Sequence, residues 1–249
     1  MSLILGLDLG GSSIKAGAVD AATGQLVGDT QSAPTPPGAP VAATRDAIAA
    51  LVARFPQCSG PVGLAFPSVV DRGVTLTAAN IDRAWIGVDA AALLSAAAGR
   101  PGVVVNDADA AGVAEMHCGA GRGEQGVMMM LTFGTGIGSA LFVGGHLWPN
   151  TELGHLEVDG REAEHIASAR VRTEEGLDWP AWTGRVNRVL GCYEALLWPD
   201  LIIIGGGVSD RFEEFGSLLK ARARIRPAGL RHAAGVVGAA MYAAKSLQV

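Results

Sequence analysis

The chain has few cysteines, few lysines and no long apolar run. Its 249 residues include three cysteines, Cys58, Cys118 and Cys192, whose wide spacing suggests neither a disulfide framework nor a zinc knuckle. No segment approaches the roughly 20 apolar residues that a membrane helix needs. Residues 1–10 also lack the basic start of a signal peptide. We therefore expect a cytoplasmic protein that has no membrane partner.

The charge balance argues against nucleic acid as the main partner. The formal net charge is −5, whereas proteins that bind nucleic acid usually carry a basic face. An anionic ligand would therefore have to be bound by a local site. Since 49% of the residues are hydrophobic and 17% are charged, the chain can bury the core of one large domain or of two smaller ones.

A glycine turn lies close to the start of the chain. Residues 3–9 alternate as an apolar strand and residues 14–19 as a returning strand, which predicts a β-hairpin. Glycines in such a turn let backbone N–H groups converge on a phosphate, serine hydroxyls add donors, and Asp8 can hold a water of hydrated Mg²⁺. An ordinary two-residue hairpin explains the pattern equally well. The candidate phosphate ligands here are Asp8, Gly10, Gly11, Ser12 and Ser13.

The same pattern recurs in the second half of the chain. Residues 127–133 predict a strand, residues 134–138 a second glycine turn, and residues 139–143 a returning strand. We therefore predict an α/β fold with duplicated β-β-β-α-β units, forming two lobes whose glycine turns face one cleft. The expected boundaries are residues 1–107 with 233–249 for the first lobe and 108–232 for the second.

Apolar periodicity predicts the remaining elements. A third strand is expected over residues 25–30, and further strands over 62–66, 102–105 and 201–204. Helices are expected over residues 42–55, 88–98, 108–118, 162–172, 182–198, 209–221 and 233–246.

Asp107 is the candidate catalytic base. It follows an apolar strand and precedes a helix, at the expected junction of the two lobes. A carboxylate placed there can accept the proton of an acceptor hydroxyl during phosphoryl transfer. Two alternatives stay open, because Asn106 or Asp107 can simply cap the helix and Asp109 can compete for the same role.

Several motifs together resemble the ROK family of sugar kinases and repressors, within the actin/hexokinase/Hsp70 superfamily. They are the two glycine turns, NDAD at residues 106–109, TELGH at 151–155 and IIGGG at 203–207. Longer strings resemble the polyphosphate glucokinase branch of that family: LTAANIDRAW at 76–85, LTFGTGIGSALF at 131–142, PNTELGHLEV at 149–158 and WPDLIIIGGGVS at 198–209. The similarity covers residues 3–244 and implies a two-lobed, actin-like (ribonuclease H-like) fold.

The resemblance also implies roles for individual residues. Asp107 would accept the proton of the 6-hydroxyl of glucose, with Mg²⁺ as cofactor, and the protein would be a homodimer. Sugar contacts are implied for Asn80, Asn106, Asp107, Glu152, His155 and Glu164. Phosphate contacts are implied for Asp8, Gly10, Gly11, Ser12 and Lys15 on one side and for Thr135 and Gly136 on the other. Gly205, Gly206 and Gly207 would border the adenine of a bound nucleotide.

His155 differs from its family counterparts in its surroundings. In many family members the matching histidine also binds zinc, together with a Cys-x-Cys-x-x-x-x-Cys cluster, but residues 156–165 contain no cysteine. We therefore expect no zinc and expect His155 to hydrogen-bond the sugar. The other histidines, including His165, have no such constellation around them and are interpreted as structural or exposed.

The phosphoryl donor is predicted to be inorganic polyphosphate, with ATP as a possible second donor. A polyphosphate chain would need a track of cations, for which Lys220, Arg222, Arg224, Arg226 and Arg231 are the dense candidates. A solvated surface run is the alternative. Arg122 and Lys15 lie nearer the glycine turns in sequence.

The predicted function is that of a polyphosphate-dependent glucokinase. The alternatives are a strictly ATP-dependent glucokinase, a kinase for mannose or another hexose, and a chaperone-like or filament-forming ATPase. A sugar-sensing repressor would need a DNA-binding segment before the first glycine turn, which begins close to Met1. We therefore expect no nucleic-acid partner, and a sugar sensor that does not bind DNA is the less favoured form of that alternative.

Overall fold

The computed structural model describes residues 2–247 and divides into two compact units. The first contains the chain up to Cys118 and again from His232 onward, and the second contains Gly119–Arg231. The strands are β1 (Leu3–Leu9), β2 (Ser13–Asp20), β3 (Gln31–Pro34), β4 (Val62–Phe66), β5 (Val70–Asp71), β6 (Val74–Thr75), β7 (Gly102–Asn106), β8 (Val127–Phe133), β9 (Ile137–Val143), β10 (His146–Trp148), β11 (Glu157–Val158), β12 (Arg161–Glu162), β13 (Leu201–Gly205) and β14 (Arg224–Pro227). The α-helices are α1 (Val41–Val52), α2 (Ala90–Ala98), α3 (Asp107–Cys118), α4 (Glu164–Ala167), α5 (Ala169–Glu174), α6 (Trp179–Leu197), α7 (Phe212–Phe215) and α8 (Ala234–Ser246).

The first unit is built on a five-stranded sheet with the order β3-β2-β1-β4-β7. β1 pairs with β2 in antiparallel register and with β4 in parallel register, and β7 adds to β4 in parallel. Leu5 and Leu7 of β1 share one core with Ile48 of α1 and Leu94 of α2. Helix α8 packs on β1 and β4 and also against α3. Covered strands of this kind are apolar nearly throughout.

The second unit repeats this arrangement. Its five-stranded sheet has the order β10-β9-β8-β13-β14, with β8 and β9 antiparallel and β8, β13 and β14 parallel. Helix α6 buries Trp182, Val186 and Tyr193 against the apolar residues of β8 and β13. The prediction of an α/β fold built from two units of like topology is confirmed.

The prediction of the third strand was wrong in position. Residues 25–30 contribute only an isolated bridge between Leu26 and Val19, and the strand that pairs with β2 is β3. Pro34 lies in β3, which the pattern of prolines after residue 33 did not suggest. An edge strand tolerates a proline because one side of it has no ladder to complete, and β3 is at the edge of its sheet.

Two helix predictions in the second unit were also wrong. Residues 162–172 contain α4 and α5, separated by Ser168, whose extended backbone and side-chain bond to the Val171 N–H start a new helix. Residues 209–221 form 3₁₀ turns around the short helix α7. β14 follows and was not predicted. Side chains that compete for backbone donors break helices in this way.

The close contact of α3 with α8 sets the boundary of the first unit. A Cβ atom at Gly238 of α8 would overlap the carbonyl of Ala110 in α3, so only glycine lets the helices approach this closely. α3 therefore belongs to the first unit, whereas the predicted boundary at residue 107 had placed it in the second.

Among the residues described, none of the helices combines the length and apolar character that a membrane crossing requires.

Candidate active site

The first glycine turn is a short exposed loop between β1 and β2. The Gly10 N–H donates to the Ser13 carbonyl at 3.0 Å, and the Thr35 hydroxyl donates to the Gly10 carbonyl at 2.6 Å. Gly11 and Ser12 at its tip are exposed, and a Cβ at Gly11 would meet no atom within 4 Å. Thr35, which the sequence analysis did not single out, thus holds the turn while the tip remains accessible to an anion.

Asp8 lies directly behind this turn. Its ladder partner on β2 is Lys15. Burial raises the pKa of the Asp8 carboxyl, and the Lys15 ammonium opposes that shift. A Cβ at Gly235, in the first turn of α8, would lie 2.6 Å from the Asp8 Cγ atom. A largely buried carboxylate that faces one cation is the kind of oxygen ligand that can hold a hydrated Mg²⁺.

Asn106 and Asp107 mark the junction of β7 and α3. The Asn106 Oδ1 atom accepts hydrogen bonds from the N–H groups of Ala108 and Asp109 at 2.9 and 3.1 Å, and its Nδ2 donates to the Ser68 carbonyl at 3.1 Å. Asn106 therefore caps the helix, which was one of the open alternatives, and Asp107 Oδ1 also accepts a hydrogen bond from the Ala108 N–H, at 2.8 Å. Asp107 is exposed at the first helical residue, whereas Asp109 is only 1% exposed. Asp107 is thus better placed than Asp109 to contact a ligand.

The other sugar candidate of the first unit, Asn80, lies on an exposed loop. The loop leads from β6 to a 3₁₀ turn at Arg83–Trp85, in which the Asp82 side chain accepts a hydrogen bond from the Ala84 N–H. The Asp82 N–H itself donates to the Gly38 carbonyl at 2.8 Å. The side chain of Trp85 is fully buried and its Nε1 donates to the Ala39 carbonyl. Asn80 therefore lies just before a well-anchored segment and is itself exposed.

The second glycine turn is bordered by Glu164. The Ile137 N–H donates to Glu164 Oε2 at 3.3 Å, and a Cβ at Gly136 would overlap that carboxylate. Thr135 is exposed at the tip, and the Arg170 N–H donates to the Gly134 carbonyl at 3.1 Å. The structure thus brings together Gly136, a phosphate candidate, and Glu164, a sugar candidate.

The remaining sugar candidates of the second unit form a histidine–carboxylate cluster, consisting of Glu152, His155, Glu162, Glu164 and His165. The His155 Nδ1 atom lies 3.1 Å from Glu162 Oε2, and its Nε2 lies 3.8 Å from Glu152 Oε2. His165 lies 3.7 Å from Glu162 and 3.8 Å from Glu164. The interpretation of His165 as a residue without such surroundings was wrong. Glu162 was missed, although the run REAEH at residues 161–165 offered a signal.

Two anchors hold the segment that carries Glu152 and His155. The Tyr193 hydroxyl of α6 donates to the Leu153 carbonyl at 2.7 Å, and the Ser139 hydroxyl of β9 donates to the Thr151 carbonyl at 2.6 Å. Burial raises the pKa of Tyr193, so its hydroxyl stays protonated as a donor. The segment is therefore fixed to the sheet and to α6 by buried groups, in addition to the hydrogen bonds of its own 3₁₀ turn.

The pKa values in the cluster reflect burial and mutual charge. Burial raises the pKa of Glu152, with His155 opposing the shift and Glu164 adding to it. The hydrogen bond to Glu162 raises the pKa of His155, and burial opposes that shift. One ligand atom each from His155, Glu162 and Glu164 lie within 4.8 Å of one another, a grouping that can hold a metal ion. The expected absence of zinc stays a prediction.

The third glycine turn follows β13. Gly206 has a φ of 79°, and a Cβ there would overlap the Phe133 backbone at the end of β8. Gly205 is closely packed as well, with a Cβ predicted 2.7 Å from Met130, whereas a Cβ at Gly207 would meet nothing within 4 Å. The turn is thus tied to the strand that leads into the second glycine turn. The expected position of Gly205–Gly207 beside the adenine of a bound nucleotide stays a prediction.

Three arginines of the basic run at residues 220–231 form ion pairs with carboxylates of the protein. Arg224 and Arg226 alternate on β14, and both bind Glu124, at 2.6 and 3.0 Å. The hydrogen bond from Arg224 lowers the pKa of Glu124. Arg222 binds the Pro199 carbonyl and lies over the Trp198 ring, and Arg231 lies 3.4 Å from Asp210. These arginines do not form a row of unpaired cations, so the solvated-surface alternative fits them better.

Comparison with known proteins extends the likeness over both units. The family model described as ROK family matches residues 4–173. The polyphosphate glucokinase of Mycobacterium tuberculosis (strain CDC 1551 / Oshkosh) is 48% identical over 237 residues, covering 95% of this chain and 89% of that protein. The inorganic polyphosphate/ATP-glucomannokinase from Arthrobacter sp. strain KM superposes with a TM-score of 0.93 at 44% identity over 100% of both chains. A ROK family glucokinase from Streptomyces griseus, solved with glucose and AMPPNP, gives a TM-score of 0.82 at 26% identity over 98% of this chain and 99% of that one.

Proposed function

The chain belongs to the ROK family, and on that premise we propose that it is a polyphosphate-dependent glucokinase. It would transfer a phosphoryl group to the 6-hydroxyl of glucose. The observation that carries the proposal is the 48% identity to a polyphosphate glucokinase along 95% of the chain. The candidate groups described above supply the functions that such a transfer needs, namely a base, hydroxyl-binding side chains and phosphate-binding turns.

Asp107 is proposed as the base that accepts the proton of the 6-hydroxyl. Its exposure at the start of α3 leaves the carboxylate accessible, and the capping of α3 by Asn106 fixes the backbone beneath it. A positioned base contributes about 10²- to 10⁴-fold to the rate. Asn106 binds Ser68 and the α3 backbone through its side chain, so its proposed sugar contact would be secondary to its role as the cap.

The proposed sugar contacts in the second unit are Glu152, His155 and Glu164. Carboxylate and imidazole groups can bind adjacent hydroxyls, and a site of this kind rejects ligands that lack them because its polar groups stay unpaired. Glu162 is added here as a positioning residue, because its carboxylate lies 3.1 Å from His155 Nδ1 and orients the ring. Asn80 completes the proposed set from the first unit.

The two glycine turns are proposed to bind the donor phosphates through backbone N–H groups, with Thr135 and Ser12 as hydroxyl donors. Magnesium, when bound, would supply positive charge against the phosphate oxygens, and Asp8 would hold it through a water. The partial burial of the Asp8 carboxylate and the Lys15 partner fit that role. A cytoplasmic location and a homodimer stay predictions.

A second candidate function is that of a kinase that accepts more than one phosphoryl donor and more than one sugar. The Arthrobacter protein, 44% identical to this chain, is described as a polyphosphate/ATP-glucomannokinase. That description favours ATP as an additional donor and mannose as an additional acceptor here. The strictly ATP-dependent glucokinase is the remaining alternative.

A donor and acceptor comparison on the purified protein tests the proposal. Formation of the hexose 6-phosphate, glucose 6-phosphate or mannose 6-phosphate, is measured with polyphosphate or ATP as the donor and glucose or mannose as the acceptor. The proposal expects phosphorylation of glucose with polyphosphate. Activity with ATP alone would replace it by the ATP-dependent alternative, and activity with mannose at a similar rate would establish the broader enzyme. No turnover with any pair would contradict the assignment as a glucokinase.

A further inference from the structure

The arginines of the second unit fall into two groups. Arg185, Arg188, Arg211, Arg224, Arg226 and Arg231 each form an ion pair with a carboxylate of the same unit. An arginine whose charge is already paired gains less from a bound phosphate, because the existing contact must be given up. A cation reserved for an anionic donor is therefore expected outside this group.

Arg170 is such a cation. Its side chain is exposed, and among residues 2–247 the structure shows no ion pair for it. Its own N–H donates to the carbonyl of Gly134 at 3.1 Å, so its backbone touches the second glycine turn. Within the described residues, Arg170 thus combines a side chain that has no ion pair with a backbone hydrogen bond to the second glycine turn.

The orientation of Arg170 follows from the packing of α5. Ser168, fully buried, caps the helix through its hydroxyl, and Val171 is buried in the core of the unit. This fixes the helix so that Arg170 faces outward. In an α-helix the Cα–Cβ bonds tilt toward the N-terminus, which is the end of α5 that meets Gly134. A Cβ at Gly134 would meet nothing within 4 Å, so the space beside the turn is open.

The electrostatics of the turn require a cation of this kind. Glu164 lies against the turn, with its Oε2 atom 3.3 Å from the Ile137 nitrogen. An anion bound to the backbone of residues 134–136 therefore also approaches a carboxylate, and like charges at this range repel. A guanidinium on a residue whose backbone is bonded to this turn can offset the repulsion and offer a planar pair of donors to phosphate oxygens.

We propose that Arg170 binds the phosphate chain of the phosphoryl donor beside the second glycine turn. This assignment rests on the proposed function and names a donor-binding residue for it. The ligand chemistry is a chain of anhydride-linked phosphates, which polyphosphate and ATP share. The basic run at residues 220–231, in which Arg224, Arg226 and Arg231 are paired with Glu124 and Asp210, is not needed for this contact.

Direct binding of inorganic tripolyphosphate, measured by titration calorimetry without sugar, tests the assignment. The variants are Arg170→Gln and Arg170→Lys, and the matched control is Arg188→Gln, which removes the same charge from a surface pair with Asp159. Arg170→Gln is expected to weaken binding at least about tenfold, which corresponds to about 1.4 kcal/mol. Arg170→Lys should fall between wild type and Arg170→Gln because it keeps the charge but loses the planar fork. Arg188→Gln should bind as the wild type does.

Steady-state kinetics separate this inference from the proposed function. Arg170→Gln should raise the KM for the donor by the same factor and leave the KM for glucose within about twofold. Unchanged tripolyphosphate binding by Arg170→Gln, or an equal loss in Arg188→Gln, would overturn the assignment of Arg170. A wild type that binds tripolyphosphate through Arg170 but phosphorylates no hexose would retain the binding site and refute the glucokinase function instead.

Discussion

The two units share a strand order but differ at the end of the last parallel strand of each sheet. In the first unit, β7 leads directly into α3, and Asp107 stands exposed at the first residue of that helix. In the second unit β14 occupies the matching place in the sheet, but it ends at Pro227 and is followed by the buried Ala228 instead of a carboxylate. A duplicated topology therefore offers the same position twice, and local side chains give only one copy a candidate for catalysis.

The glycine turns show the same division of roles. The first turn is held by Thr35 and lies in front of Asp8, a group suited to a metal. The second turn is bordered by Glu164 and by the backbone of Arg170, groups suited to a sugar and to a phosphate. The same backbone turn, suited to an anion, thus occurs in both units. The neighbouring side chains decide which ligand each turn is suited to bind.

Replacing Asp107 tests the asymmetry of the two strand ends and should have the largest effect. Asp107→Asn keeps the side-chain shape but removes the base, so kcat should fall by about 10²- to 10⁴-fold while glucose binding is at least partly retained. Stopped assays of glucose 6-phosphate and calorimetry with glucose measure the two quantities. Asp29→Asn, which neutralises another exposed aspartate of the first unit, is the control and should keep normal turnover. A near wild-type rate for Asp107→Asn would remove Asp107 from the mechanism.

Replacing a helical glycine in each unit tests the difference in helix packing. Gly238→Ala would place a methyl group against the Ala110 carbonyl, and such overpacking typically costs about 1–3 kcal/mol. Gly184 of α6 has no atom within 4 Å of a Cβ position, so Gly184→Ala should stabilise the protein by up to about 1 kcal/mol. Chemical denaturation measures both changes. Equal effects of the two substitutions on the free energy of unfolding would show that the close approach of α3 and α8 does not require a glycine at position 238.

Neutralising Glu162 tests the histidine–carboxylate cluster of the second unit. Of the substitutions proposed, it should have the smallest effect. The Glu162 hydrogen bond raises the pKa of His155 above its ordinary value of 6.5. Glu162→Gln should therefore lower the pKa of His155, as read from the NMR titration of its ring protons. Glu157→Gln, which removes a carboxylate from the opposite strand of the same small hairpin, should shift that pKa less. An unchanged pKa in Glu162→Gln would show that the Glu162 contact does not persist in solution.

The same shift predicts a direction for the effect of pH on stability. Because the pKa of His155 is raised in the folded protein, its contact with Glu162 stabilises the fold below the unfolded pKa of about 6.5. That contribution is lost as the pH rises through the folded pKa. Glu162→Gln should remove this part of the pH dependence of unfolding.

Much of the backbone was predictable because its signals lie close together in the sequence. The alternation in residues 3–9 and 127–133 and the glycines that follow them specify two hairpins, and both are present. The strand-to-helix switch that places Asp107 was likewise visible in consecutive residues. The errors fell where a local pattern was ambiguous, as in the third strand and in residues 209–221, where pairing with a neighbouring strand or short 3₁₀ turns decided the structure.

The amino-acid sequence by itself determined the two glycine hairpins, the apolar strands and the position of Asp107, because neighbouring residues control turns and alternation. Only the tertiary structure decided which charges meet. Glu124 binds Arg224 across 100 residues of chain, and His165 joins the carboxylates around His155. An ion pair forms only when two charged side chains lie close together in space. For residues far apart in the chain, that distance is set by the packing of strands and helices, which the order of residues alone does not reveal.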